Sequence, residues 1–95
     1  MAVARVVSFE GVDGDRMAGM LEQMRSTGGP PPDVPATGLV VLHDAEAGQA
    51  VVVLFFDSEE DYARGDAVLS AMSSDETPGR RASVAKYDVA HSMFL

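Results

Sequence analysis

Ala50-Val51-Val52-Val53-Leu54-Phe55-Phe56 is apolar at every position. A strand that buries one face alternates apolar with polar residues, whereas a strand covered on both faces does not. The run therefore reads as a strand in the middle of a sheet, with something packed on each side of it. The rest of the chain has to supply its neighbours and its cover.

On the N-terminal side, Ala45-Glu46-Ala47-Gly48-Gln49 is a short turn, with Gly48 free to take positive φ, and Gly38 to Asp44 (GLVVLHD) is the preceding strand. On the C-terminal side, Ser58 opens a helix with Asp61 three residues on, an imperfect capping box. Glu59, Glu60 and Asp61 fall in its first turn, where the helix dipole favours negative charge. Tyr62, Gly65, Leu69 and Met72, with Val68 alongside, form the inner stripe. Gly65 costs a helix roughly 1 kcal/mol relative to Ala, so it predicts a close approach to the sheet.

Further out, Val3 to Phe9 (VARVVSF) is a first strand, and Gly11 to Asp15 is turn chemistry with Asp13 or Asp15 available as N-cap. Met17, Met20, Leu21 and Met24 recur at i, i+3, i+4 and i+7, one helical stripe, with Arg25 near its end and Gly28 as a left-handed stop. Gly28 to Pro35 is a stiff extended linker. Ser73 to Arg80 is a loop with a Pro78-Gly79 turn, Ser83 to Ala90 (SVAKYDVA) a fourth strand, and His91 to Leu95 a short tail.

The order β-α-β-β-α-β over residues 1–95 predicts a single α+β domain of ferredoxin-like arrangement: a four-stranded antiparallel sheet with two helices on one face. Two helices cover only that face. The apolar third strand asks for cover on the other, and a second copy of the chain is the simplest source. The expectation is a homodimer whose sheets pack face to face or close into a dimeric α/β barrel.

Composition narrows the function classes. The chain has 95 residues, enough for one core, with seven basic against fifteen acidic residues and a formal net charge of -8. That balance argues against nucleic acid, which needs a basic face to displace counterions, and against anionic lipid. No apolar run approaches the roughly 18 residues that span a bilayer, and no signal-peptide pattern opens the chain. Cysteine is absent, which excludes disulfides, thiolate catalysis and Cys-ligated metal. Trp, Asn and Ile are also absent and Lys86 is the only lysine. This usage fits a high-GC bacterial genome and a cytoplasmic protein.

The element order, the doubly covered third strand and the segment FFDSEEDYARGDAVLSAM (residues 55–72) resemble the dimeric α/β-barrel superfamily, most nearly its antibiotic-biosynthesis-monooxygenase-like group. The likeness runs from Val3 to Ala90. It implies the dimeric barrel, with a ligand pocket between sheet and helices or inside the barrel. Members include cofactor-independent monooxygenases of quinols and polycyclic aromatics, haem-degrading enzymes and lactone isomerases, so the resemblance admits several chemistries and selects none. The monooxygenase-type sites lean on Trp and Asn, which this chain lacks. Haem-degrading relatives use a helix histidine, and neither His43 nor His91 lies on a predicted helix.

Alternation sorts the strands into faces. Val3, Arg5, Val7 and Phe9 share one face of the first strand, and Leu39, Val41 and His43 one face of the second. Tyr87 and Ala85 oppose Lys86 and Asp88 on the fourth. A charge under a packed helix is costly, so Arg5, Lys86 and Asp88 are expected to point away from the helices, toward the dimer interior or its rim. Arg5 with Lys86 would then offer positive charge to an anionic or phenolate ligand, and His43 a proton acceptor. Tyr62 and Tyr87 would orient an aromatic ring. The plainer alternative is an Arg5–Asp88 cross-strand pair, a solvated Lys86, a hydrogen-bonded His43 and core tyrosines with one wet end. The methionine stripe reads as core in the same way.

No catalytic residue can be assigned. Two histidines without Glu-x-x-His or His-x-His spacing predict no metal site. No nucleotide-binding glycine pattern and no Gly-x-Ser-x-Gly elbow appears, so no cofactor is expected. Arg80-Arg81-Ala82-Ser83 has the shape of a basophilic kinase site, but Ser83 begins a strand. Pro32-Asp33-Val34-Pro35 fits a Pro-x-x-Pro ligand and is better explained as linker. Three readings stand: a dimeric barrel binding a small aromatic or hydrophobic molecule without catalysis, a cofactor-independent monooxygenase or isomerase of quinol or polyketide-like substrates, and a structural or protein-interaction module.

Overall fold

The computed structural model describes residues 2–28, 33–71 and 79–95. Along the chain these form β1 (Val3–Glu10), α1 (Gly14–Thr27), β2 (Gly38–Asp44), β3 (Gln49–Phe56), α2 (Glu59–Ser70) and β4 (Arg80–Asp88). The strands make one antiparallel sheet in the order β2-β3-β1-β4. This is the ferredoxin-like α+β fold, and β3 is an interior strand, as its unbroken apolar run predicts.

Local chemistry sets the boundaries. Asp13 caps α1, its Oδ1 accepting the Arg16 N–H at 2.8 Å, and Gly28 ends it at φ 80° with its N–H donating to the Met24 carbonyl. Ser58 caps α2, its Oγ accepting the Asp61 N–H at 3.2 Å. Gly48 takes φ 68° in the β2–β3 turn, the left-handed conformation that favours glycine.

The register puts the odd residues of β1 and the even residues of β3 beneath the helices. Val7, Phe9 and Ala50 pack with Val12 and Met17, against which Met20, Leu21 and Val41 lie. Leu54 and Phe56 pack with Leu69 and Val34, flanked by Tyr62 and Val68. Gly65 makes the close approach expected of it: a Cβ there would stand 2.6 Å from Phe56 Cε1. The predicted stripes of both helices face this core, while Met72 lies outside the described residues. Val34 is 6% exposed, so the linker is anchored in the core rather than merely stiff. Pro32, the first residue of the Pro-x-x-Pro pattern, lies outside the described residues.

The fourth strand differs from its expected span. It starts three residues earlier, at Arg80, and ends two earlier, at Asp88. Two features shift it. Arg80 pairs with Glu10, which extends β1 and β4 together. A register break between Ser8 and Phe9 then sets Ser83 opposite Ser8 but Arg81 opposite Phe9, so Ala82 is the extra residue of a bulge. The loop expected before β4 falls largely outside the described residues.

Candidate functional site

The helix-covered face of the sheet carries a polar cluster at the β1–β4 side of α2. Arg5 is 3% exposed, and its Nε donates to Asp66 Oδ1 at 2.9 Å. Its Nη2 lies 3.5 Å from Ser70 Oγ, which in turn donates to the same Asp66 oxygen at 3.3 Å. Next to it, Lys86 Nζ donates to Glu59 Oε1 at 3.0 Å and lies 5.3 Å from the centroid of the Tyr62 ring, a cation–π distance. The Tyr62 ring meets Phe56 edge-to-face, with centroids 5.7 Å apart.

This corrects the expected direction of the charges. Arg5 and Lys86 do not point away from the helices; both lie on the helix side, as does Asp88, which pairs across from Val3. The cost of charge beneath a helix is met because α2 brings carboxylates to it, Asp66 for Arg5 and Glu59 for Lys86. The Arg5–Asp88 cross-strand pair is replaced by Arg5–Asp66.

Electrostatics follow from these contacts. Burial raises the Tyr62 phenol above its ordinary value and the Asp66 carboxylate pushes the same way, against opposing pulls from Arg5 and Lys86. The hydrogen bond that Lys86 donates to Glu59 raises its ammonium, with partial burial opposing and the charges of Glu59 and Asp88 adding to the rise.

His43 and Tyr87 lie elsewhere. His43 Nε2 is 2.9 Å from the Val12 carbonyl oxygen. A carbonyl only accepts, so Nε2 carries the proton and donates. The Val12 N–H donates to the Gly48 carbonyl at 2.8 Å, so both backbone groups of Val12 are tied to the β2–β3 hairpin. His43 shares a cross-strand row with Ala50 and Phe9, four residues along β1 from the Arg5 row, a separation of roughly 13 Å. Tyr87 pairs with Ala4 on the opposite face of the sheet and is 59% exposed.

Of the five residues singled out in the sequence, Arg5, Tyr62 and Lys86 converge; His43 and Tyr87 do not join them. The converging cations are matched by carboxylates of the same chain, so the cluster fastens α2 to β1 and β4. Asp66 and Ser70 were the missing partners. Their signal was present: Tyr62, Asp66 and Ser70 recur every four residues on α2, a polar stripe beside the apolar one.

The other face of the sheet is left open by the described residues. Val51, Val53 and Phe55 of β3 point onto it, half-buried only by their neighbours, together with Val6 of β1 and Val40 of β2. Leu42 is 55% exposed. Ala4 is covered because Phe55 and Tyr87 flank it in its row, and the Phe55 ring leans over Gly38, where a Cβ would lie 3.2 Å from Cδ2. The charged Glu10–Arg80 pair stands at one end of this face; the end holding Tyr87, Ala4, Phe55 and Gly38 is uncharged. Among the described residues no helix is long and apolar enough to cross a membrane. No family model, no curated protein and no solved structure matches the chain.

Proposed function

We propose that the protein works as a homodimer closed through the open sheet face, a dimeric α/β barrel of the antibiotic-biosynthesis-monooxygenase-like kind, and that its interior holds a small aromatic or hydrophobic molecule without transforming it. One observation carries this reading: Val6, Val40, Val51, Val53 and Phe55 form a continuous apolar patch that two helices on the far side cannot cover. Apolar area of that extent on a soluble chain marks an interaction or ligand surface. The ligand is neutral rather than anionic, because Arg5 and Lys86 face the helices and are matched there by Asp66 and Glu59. The polar side chains of that face are the hydroxyls of Ser8, Ser83 and Tyr87 and, at its other end, Glu10, which pairs with Arg80, and Asp44, which accepts the Ala47 N–H; binding rather than chemistry fits carboxylates already engaged in this way. Absent cysteine and the high-GC residue usage fit a bacterial cytoplasmic setting.

The test is a thermal-shift screen of the purified protein with hydroquinones, anthrones, naphthols, flavins and haem. A ligand that binds only the folded state stabilises it by about 2.7 kcal/mol at a hundredfold excess over its Kd. The expected result is a shift with one class of neutral aromatic and no oxygen uptake in its presence. Oxygen uptake would replace the binding reading with a cofactor-independent oxygenase. No shift with any of these compounds would leave an interaction module.

A further inference from the structure

Met93, Phe94 and Leu95 are apolar and stand off the fold. Beyond β4, the Val89 N–H donates to the Ala2 carbonyl at 2.9 Å, and residues 90–95 continue without regular structure. Met93, Phe94 and Leu95 are 66%, 81% and 112% exposed. We infer that this tail is a dimer arm: Met93, Phe94 and Leu95 of each copy lie against the open sheet face of the other. The inference rests on the dimer proposed above and says what completes it.

Three observations lead there. The first is area. Four strands about 4.8 Å apart and about eight residues long at about 3.3 Å each give the face roughly 500 Å² of flat area. A standard interface buries roughly 800 Å² per partner, so the sheet alone falls at the low end. An aromatic side chain buries roughly 150–250 Å², and Phe94 with Met93 and Leu95 beside it makes up the difference.

The second is charge. Copies of a chain with net charge -8 repel, so a contact between them is least opposed where it brings no further charge together. Val89-Ala90-His91-Ser92-Met93-Phe94-Leu95 contains no Asp, Glu, Lys or Arg, and it leaves the sheet at the end of the open face where Tyr87, Ala4 and Phe55 lie, away from Glu10 and Arg80.

The third is direction. The tail does not fold back onto its own open face: residues 90–95 are all exposed. Five extended residues span roughly 16 Å, more than the about 10 Å between stacked sheets, so the tail is long enough to cross to a partner's face. Two-fold symmetry makes the exchange reciprocal.

The absence of cysteine permits a direct test. A spin label on Ser92→Cys, which keeps Met93, Phe94 and Leu95, is mixed with unlabelled, nitrogen-15-enriched wild-type chain, so any broadening read from the enriched chain is intermolecular. The expected result is broadening of the Val40, Val53 and Ala85 amides. In parallel, replacing Met93, Phe94 and Leu95 together by Ser raises the dimer Kd by roughly a hundredfold. A dimer without that broadening, or with an unchanged Kd in the triple variant, overturns the arm and leaves the dimer standing. A wild-type chain that sediments as a monomer overturns the dimer and the arm together.

Discussion

Arg5 Nε and Asp66 Oδ1 are 2.9 Å apart, joining the middle of a central strand to a helix 61 residues later in the chain. The arginine is buried while the carboxylate keeps 38% of its side-chain surface exposed, and this asymmetry decides which partner is costlier to lose. Removing Asp66 strands a buried guanidinium; removing Arg5 leaves a carboxylate that water reaches. Asp66→Ala is expected to cost about 2 kcal/mol, below the roughly 3–5 kcal/mol of a fully buried pair because solvent screens this one. Arg5→Met keeps the apolar stem's volume and costs less. Urea unfolding of both variants checks the order, and a more damaging Arg5→Met would show that the arginine does something beyond this pairing.

Gly65 has no room for a methyl group. Phe56 Cε1 and Cζ would stand 2.6 and 2.8 Å from it, and Val34 Cγ1 3.2 Å. Phe56 is fully buried and cannot swing away. Gly65→Ala is therefore expected to lose about 1–3 kcal/mol to overpacking, although Ala is the better helix former by about 1 kcal/mol. Adding Phe56→Leu should return part of the loss, so the two changes are less harmful together than their sum. Strict additivity would contradict the contact.

His43 Nε2 donates to the Val12 carbonyl. His43→Ala should cost about 1 kcal/mol, the usual worth of one hydrogen bond, and speed amide exchange at the start of α1. The thermal shift produced by an aromatic ligand should be the same in the variant. A ligand response that vanishes with His43 would return the residue to the binding site.

Tyr62 and Lys86 make stability depend on alkaline pH. Both groups bind their protons more tightly in the folded chain, Tyr62 through burial and Lys86 through Glu59. A folded-state pKa raised above the unfolded one contributes stability that is fully present below the unfolded value, about 10 for both side chains. It is lost as pH rises through the folded value. The wild-type urea midpoint should therefore fall as pH rises above about 10, by more than in a Tyr62→Phe, Lys86→Met double variant. The part of the phenolate absorbance titration that Tyr62→Phe removes should have its midpoint above about 10. Parallel curves for the two proteins would contradict these contacts.

What could be read from the sequence was local or periodic. Asp13, Gly28, Ser58 and Gly48 act where their chemistry places them, and the run Ala50–Phe56 identified the interior strand. The element order then gave the sheet. Alternation groups Arg5 with Val3, Val7 and Phe9, but it does not show the carboxylate that makes a charge beneath the helix tolerable. Asp66 is 61 residues away from Arg5, and only the packing of α2 over β1 brings them together. The same limit applies to Val34, which looked like linker among prolines and is core, and to Ala82, because a bulge leaves no mark in hydrophobic alternation.

Sedimentation equilibrium on the wild type and on Val53→Asp bears most directly on the open face. Val53 stands between Val6 and Val40 at the centre of that face, half-buried by its neighbours, so a carboxylate there still reaches water in a single chain but is fully buried in the dimer. The wild type should run at twice the chain mass, and Val53→Asp as a monomer with unchanged far-ultraviolet circular dichroism. A wild type that stays monomeric at the highest soluble concentration, or a Val53→Asp chain that still dimerises, would contradict the proposed use of the open face.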